Sequence, residues 1–467
     1  MGPPKEQPTS WDKLLPSELI TRIFGFAILE GLETGSTSVD SSALLFGRVS
    51  KRWREIAYST PTFWTSISVN INHSATISRF APGVRAWLLR AGALPLSVRL
   101  RVSCASERVF PQLALLTGEI LSFSPQIRRL FIQVIFELPN PLAHHAVGTH
   151  NYVALGKGGF PILETMDLDC PFDRSDMVLP KILASAPALR DFSVMNYPET
   201  ISKLPVPLAQ LRRFVCGPHE PPTTAQDMVR RAPELEECRL GLALISAIAP
   251  STMNGIVTLN HLRHLHIGPI NVDLFLNGLS LPALTHLTFD GTLPNSQINL
   301  PFPLWHQESI TAFLKRSQCA LEQLSFSKTD LGPQDIEICV ELASPTLKVL
   351  SVSNGPYWPA VVGATLLERL TAPTAGQEHK DVLCPLLERV EMHGGVLERE
   401  GYGSGMLDML ESRFYRDPAA RDGVVQLKSA VVGGTFGPLQ RKRMNKLKKD
   451  GLNLRFIPEG NSFLHIS

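Results

Sequence analysis

From residue 125 onward an apolar residue is followed three and then two positions later by others, often just after a proline. Ile127-Leu130-Ile132, Leu163-Met166-Leu168, Leu189-Phe192-Val194, Leu211-Phe214-Cys216, Leu235-Cys238-Leu240 and Leu262-Leu265-Ile267 are the first copies. Leu284-Leu287-Phe289, Leu321-Leu324-Phe326, Leu347-Leu350-Val352, Leu367-Leu370-Ala372 and Leu387-Val390-Met392 complete a set of eleven. Most first residues lie 20 to 27 positions apart, a period typical of solenoid repeats. Helix-like segments fall between copies: Asp227 to Pro233, Glu308 to Arg316 and Gln334 to Leu342. Each copy therefore predicts a helix or irregular turn leading into one short strand, and stacking predicts a parallel sheet on the concave side of an α/β solenoid.

Alternation along each strand turns the leucines inward and the residues between them outward. The predicted outward set includes Thr165, Asp167, Asp191, Ser193, Arg213, Glu237, Arg239, His264, His266, His286, Thr288, Gln323, Ser325, Ser351, Arg369, Arg389 and Glu391. At ~4.8 Å per strand such an arc runs about 50 Å, enough for a peptide or a protein face. From this set we take Asp167, Asp191, Arg213, Arg239, His264, His266, His286, Arg369 and Arg389 as candidate target-binding residues. Their mixed charge selects neither a simple acidic nor a simple basic ligand. His264, His266 and His286, with Asp290 nearby, are also neighbours that could ligate zinc. The reading adopted is no metal and no cofactor, with the histidines belonging to a protein-binding face. His144-His145 falls in a segment, Pro139 to Gly159, that reads as a surface loop.

The first seventy residues follow another rule. Pro16 suits the first position of a helix and Glu18 its positively polarised first turn. Along that helix Leu15, Leu19, Ile23 and Phe26 make one apolar stripe, and Ile20, Phe24 and Ala27 a second beside it. A module of about fifty residues buries only about 60% of its extended surface, too little to hide both stripes. Part of that face is expected to meet a partner. A second helix is predicted from Ser42 to Tyr58, with Leu45, Val49, Trp53 and Ile56 on one face and Pro61 as its stop. On periodicity alone, a helical cap over the end of the following domain is an equal alternative.

In order, Trp11-Asp12, Leu15-Pro16-Ser17-Glu18-Leu19, Ile23-Phe24, Val49-Ser50-Lys51-Arg52-Trp53, Pro61 and Phe63-Trp64-Thr65-Ser66-Ile67 resemble an F-box. The resemblance implies a three-helix module binding the Skp adaptor, through which cullin and RING subunits of an SCF ubiquitin ligase are joined. It implies adaptor contacts at Trp11, Leu15, Pro16, Leu19, Ile23, Phe24, Val49 and Trp53. The chain as a whole is similar to fungal F-box proteins with degenerate leucine-rich repeats, specifically in the F-box and diffusely beyond. It departs from the family in the long Gly31 to Ser42 connection. It departs also in the repeat Asn or Cys, which Cys170, Asn196 and Asn354 place one position early. The expected organisation is an F-box over 9–68, a connecting or first repeat region over 69–124, the repeats over 125–457 and a tail over 458–467. The expected role is a target receptor of the ligase; the alternative is a non-degradative scaffold with the same architecture.

Composition narrows the other classes. The chain has 467 residues, 44% hydrophobic and 19% charged, so it has material for a large core. A net charge of +2 argues against a globally nucleic-acid-directed protein. Cys104, Cys170, Cys216, Cys238, Cys319, Cys339 and Cys384 are scattered and form no C-x-x-C pair, which fits a reduced cytoplasmic or nuclear location. Met1 to Glu6 has neither the apolar core of a signal peptide nor a myristoylation motif, and the uncharged run Leu240 to Leu262 is too broken to span a membrane. No phosphate-binding loop, nucleophile elbow or zinc-protease motif is present, and Gly401 to Gly405 reads as a flexible loop rather than a dinucleotide site. No catalytic residue is expected. The basic run Arg441 to Lys449 reads as one face of a terminal capping helix with Leu439, Met444 and Leu447 inward, followed by a last strand over Leu452-Leu454-Phe456; a nuclear-import signal is the compatible alternative.

Overall fold

The computed structural model describes residues 15–33, 42–71, 77–104, 110–136, 159–169, 178–195, 201–242, 255–268, 272–291, 305–327, 331–353, 362–373, 382–393, 402–416, 423–434 and 436–457. Trp11, His144, His145, Cys170, Asn196 and Asn354 lie outside them. The chain divides into two compact units, Met1–Pro207 and Leu208–Ser467.

The first unit opens with helices α1 (Ser17–Glu33), α2 (Ser42–Val49) and α3 (Lys51–Ser59). α1 begins where Pro16 predicts, with the Pro16 carbonyl accepting from the amides of Leu19 and Ile20. The single helix expected from Ser42 to Tyr58 is instead two. Ser50 is extended at φ −150°, and its hydroxyl accepts from the Trp53 amide at 3.1 Å, capping a new helix. Arg54 Nε ties the halves by donating to the Gly47 carbonyl, and Arg52 reaches back to the Leu15 carbonyl, both at 2.7 Å. Pro61 starts a short 3₁₀ turn that sinks Trp64, whose indole N–H donates to the Ala57 carbonyl at 2.8 Å.

Strands β1 (Ser66–Ile71), β2 (Leu96–Cys104), β3 (Ile127–Phe136), β4 (Thr165–Asp169) and β5 (Asp191–Met195) follow in parallel, paired in chain order. Helices α4 (Ile77–Arg90), α5 (Phe110–Leu121) and α6 (Val178–Ala184) connect them. Trp87 of α4 meets Trp64 edge to face at 4.6 Å, so the helical module packs on the first strand–helix repeat. The first strand thus begins at Ser66, inside the 9–68 stretch, and α4, β2 and α5 lie in the 69–124 stretch read as a connecting or first repeat region.

The second unit continues the scheme with β6 (Arg213–Glu220), α7 (Pro222–Arg230), β7 (Glu237–Leu242), β9 (His264–Ile267), α8 (Val272–Leu276) and β11 (His286–Asp290). Two short strands, β8 (Val257–Thr258) and β10 (Leu279–Ser280), pair only with each other. Then come α9 (Gln307–Ser317), β12 (Gln323–Ser327), α10 (Pro333–Ala343), β13 (Val349–Ser353), α11 (Ala364–Leu370) and β14 (Arg389–His393). The unit closes with α12 (Tyr402–Phe414), β15 (Ser429–Gly433), α13 (Pro438–Lys449) and β16 (Asn453–Ile457). Its main strands again pair in chain order and in parallel. Among the described strands the order does not reverse within either unit, unlike the open α/β sheets that bind ligands at a switch point.

The repeated apolar triplet is the core. Leu163, Leu189, Leu211, Leu235, Leu262, Leu284, Leu321, Leu347 and Leu387 are buried just ahead of their strands, and the positions three and five later are buried within them. Within each unit, the residue following such a leucine donates its amide to its counterpart in the previous repeat, as Glu164 does to the Arg128 carbonyl at 2.8 Å and Lys348 to that of Glu322. The side chains there alternate in sign: Arg128, Glu164, Arg190 in the first unit, and Glu322, Lys348, Glu388, Lys428 in the second. Arg128–Glu164, Glu322–Lys348 and Glu388–Lys428 close at 2.8 Å.

Two segments depart from expectation. Leu367 and Leu370 of the Leu367-Leu370-Ala372 copy lie on a helix, α11, because a spacing of three serves a helix as well as a strand. The segment after Gly401 is also helical rather than a flexible loop. Gly403 there sits against the end of the Gln440 side chain of α13. The terminal helix buries Met444 and Leu447 as expected, whereas Leu439, in its first turn, is 79% exposed.

Candidate protein-docking surfaces

The two apolar stripes of α1 separate cleanly. Ile20 and Phe24 are 1% exposed, while Leu19 is 45%, Ile23 52% and Phe26 68% exposed. Leu45 and Val49 of α2 add 45% and 61% exposed apolar side chains to the module's surface. Phe24 is therefore corrected from an adaptor contact to a core residue. It stacks on Phe46 at 3.8 Å, with Trp53 at 4.8 Å and Phe63 at 6.1 Å, because a hydrophobic ring this central is what a small module has to pack around. Of the other proposed contacts, Pro16, Leu19, Ile23 and Val49 are exposed, and Leu15 and Trp53 are half-buried. The Trp53 indole N–H is buried without an acceptor among the described residues.

On the open face of the first unit, Thr165, Asp167 and Asp191 are half-buried as alternation requires, and Thr165 Oγ1 donates to Asp191 at 3.1 Å. Ser193, in register with Asp167, is buried instead. On the open face of the second unit Arg213 pairs with Glu237 at 3.2 Å, Arg239 is exposed, and Arg389 pairs with Glu391. Ser325 is buried under Gln323, which donates to it. Arg369 is not on a strand. It lies on α11 and bridges Glu337 at 2.9 Å and Glu341 at 3.2 Å, both on α10, so it is removed from the candidate face.

The three histidines are neighbours but do not converge. His264 and His286 are in register, their rings perpendicular at 4.3 Å, while His266 turns toward Asp290, Nε2 to Oδ2 at 3.3 Å. Thr285 Oγ1 lies 2.8 Å from His286 Nδ1. Burial, followed by the neighbouring His264, lowers the pKa of His286 against the opposing pull of Glu322. Among the described residues no group of three or more His, Cys, Asp or Glu is placed to hold a metal. Thiol chemistry is also suppressed: burial pushes Cys319 up to about 11 and Cys339 and Cys384 up to about 12.

Sequence reasoning missed the basic end of the first unit's face. Arg99 and Arg101 on β2 and Arg129 on β3 are exposed there. The signal was legible: Leu96 to Val102 alternates apolar and polar without a break, but Pro95 stands three residues ahead of Val98, where later repeats carry a leucine ahead of their first inward strand residue. Reasoning also missed Arg413, a fully buried cation on α12 that donates to the carbonyls of Leu370 at 2.5 Å, Leu383 at 2.6 Å and Cys384 at 3.0 Å. Burial lowers its pKa to about 10.

No protein-family model matches the chain, and no curated protein matches it. No described helix is long and apolar enough to cross a membrane.

Proposed function

We propose that this protein is a target-recognition subunit of an SCF ubiquitin ligase, acting in the cytoplasm or nucleus. Its N-terminal helices serve as an F-box docking the Skp adaptor, and its strand–helix repeats serve as an irregular leucine-rich solenoid holding a target protein. The observation that carries this reading is the set of exposed apolar side chains Leu19, Ile23, Phe26, Leu45 and Val49 on helices that bury Ile20, Phe24 and Ala43. Full burial of such a side chain is worth roughly 1.5 to 3 kcal/mol, so covering five half-exposed ones contributes about 5 kcal/mol. Micromolar affinity needs about 8 kcal/mol net, so the stripe is complemented by polar contacts.

In this reading the chain contributes proximity and orientation while another subunit transfers ubiquitin. Co-expression with a Skp adaptor followed by size-exclusion chromatography tests the reading. A stoichiometric complex is expected, and separate elution of folded chain and adaptor contradicts it.

A further inference from the structure

The open face of the first unit carries two rows in which a cation and a carboxylate are separated by one strand. Arg99, Phe131 and Asp167 lie in register across β2, β3 and β4, and so do Arg101, Gln133 and Asp169. The second row is closed on itself. Arg101 Nε donates to Gln133 Oε1 at 2.7 Å, and Gln133 Nε2 donates to Asp169 Oδ2 at 3.0 Å.

The first row is open. The Arg99 guanidinium lies over the Phe131 ring, 5.0 Å from its centroid, and Phe131 offers no polar atom to link it to Asp167. Among the described residues neither Arg99 nor Asp167 has an ion-pair partner. Two strand spacings place these opposite charges about 10 Å apart, too far to pair directly, with an aromatic platform between them. Stacking on Phe131 fixes the guanidinium and leaves its donor edges open, so little side-chain entropy is lost when an acid engages it.

We propose that this row docks an extended segment of a partner protein lying across the strands, an acidic side chain on Arg99 and a basic side chain on Asp167, with the backbone passing over Phe131. Arg101, two residues along the same strand, and Arg129, opposite Ser97, strengthen the acid-binding end. Asp191, beside Thr165, strengthens the base-binding end. A nucleic acid would use the arginines but be repelled by Asp167, Asp169 and Asp191, which is why a bipolar peptide is the better occupant. An extended chain spans about 10 Å in about three residues, which sets the spacing between the two charges. That this partner is the ligase target rests on the receptor reading above; the docking chemistry does not.

The test is fluorescence anisotropy at low salt with the full chain and labelled Gly/Ser peptides of about twelve residues, bearing one acidic and one basic pair at increasing separations. Glutamate and phosphoserine versions distinguish a carboxylate from a phosphate at the acid end. Binding is expected to peak near a separation of about three residues. Arg99→Gln should weaken it about fivefold or more, and Asp167→Asn should abolish the advantage of the basic pair over a neutral one. Binding indifferent to separation and to both substitutions, no binding of any peptide by folded wild type, or tighter binding of an oligonucleotide of similar length would each overturn the proposal. Adaptor binding, measured on the same variants, is expected to be unchanged. Its loss in wild type would count against the receptor reading and leave the docking row standing.

Discussion

Ile23 and Phe24 are neighbours in the chain and face opposite ways: Phe24 is 1% exposed beneath Phe46 and Trp53, and Ile23 is 52% exposed. Phe24→Ala should cost about 3 to 5 kcal/mol of stability, as deletion of a buried ring does. Ile23→Ala should stay within about 0.5 kcal/mol of wild type. Urea unfolding of both variants checks the contrast; equal losses would mean that α1 is packed differently.

Arg413 satisfies three backbone carbonyls in the interior of the second unit, bridging α12 to the end of α11 and to the Leu383–Cys384 turn. Arg413→Ala leaves those carbonyls buried and unpaired and should cost about 3 to 5 kcal/mol. Arg413→Lys should recover little of this, because an ammonium lacks the planar fork that reaches all three. Thermal unfolding of the two variants checks it, and a Lys variant as stable as wild type would refute the account.

The paired charges ahead of the strands are expected to add little stability, because they are solvent-exposed. A double-mutant cycle on Arg128 and Glu164, whose side chains are substantially exposed, should give a coupling of about 1 kcal/mol or less that shrinks with added salt. A larger, salt-insensitive coupling would show that the ladder contributes to stability in its own right.

His286 has a folded-state pKa below its ordinary value, first through burial and then through His264. The unfolded chain therefore binds more protons than the folded one as pH falls below about 6.5, so the stability His286 contributes at neutral pH is lost on acidification. His393 is lowered in the same direction by burial. His286→Gln should flatten the fall in melting temperature between neutral pH and about 5.5. A wild-type melting temperature that rises on acidification, with the variant unchanged, would contradict the sign.

The sequence carried much of this fold because its inward positions are apolar and regularly spaced. The residues ahead of and within β4 to β7, β9 and β11 to β14 are buried where the triplet predicts. It misled where one spacing serves two structures, as at Leu367 and Leu370, which placed Arg369 on a strand rather than on α11. Ser50 sits within one continuous helical periodicity, yet its hydroxyl competes for a backbone amide and restarts the helix. On α1 the two apolar stripes were legible. Which of them is buried depended on Phe46, Trp53 and Phe63 arriving from elsewhere in the module, and no local pattern shows that.

The measurement that tests the central claim most directly is the affinity of the purified chain for a Skp adaptor by calorimetry, comparing wild type with Leu19→Ala/Ile23→Ala/Val49→Ala. All three side chains are exposed, so the variant should keep the wild-type melting temperature. The account predicts tight wild-type binding reduced about a hundredfold or more in the variant, since about 3 kcal/mol of apolar burial is removed. No binding by folded wild type, or binding that the triple change leaves intact, would contradict the assignment of these helices as an adaptor-docking F-box.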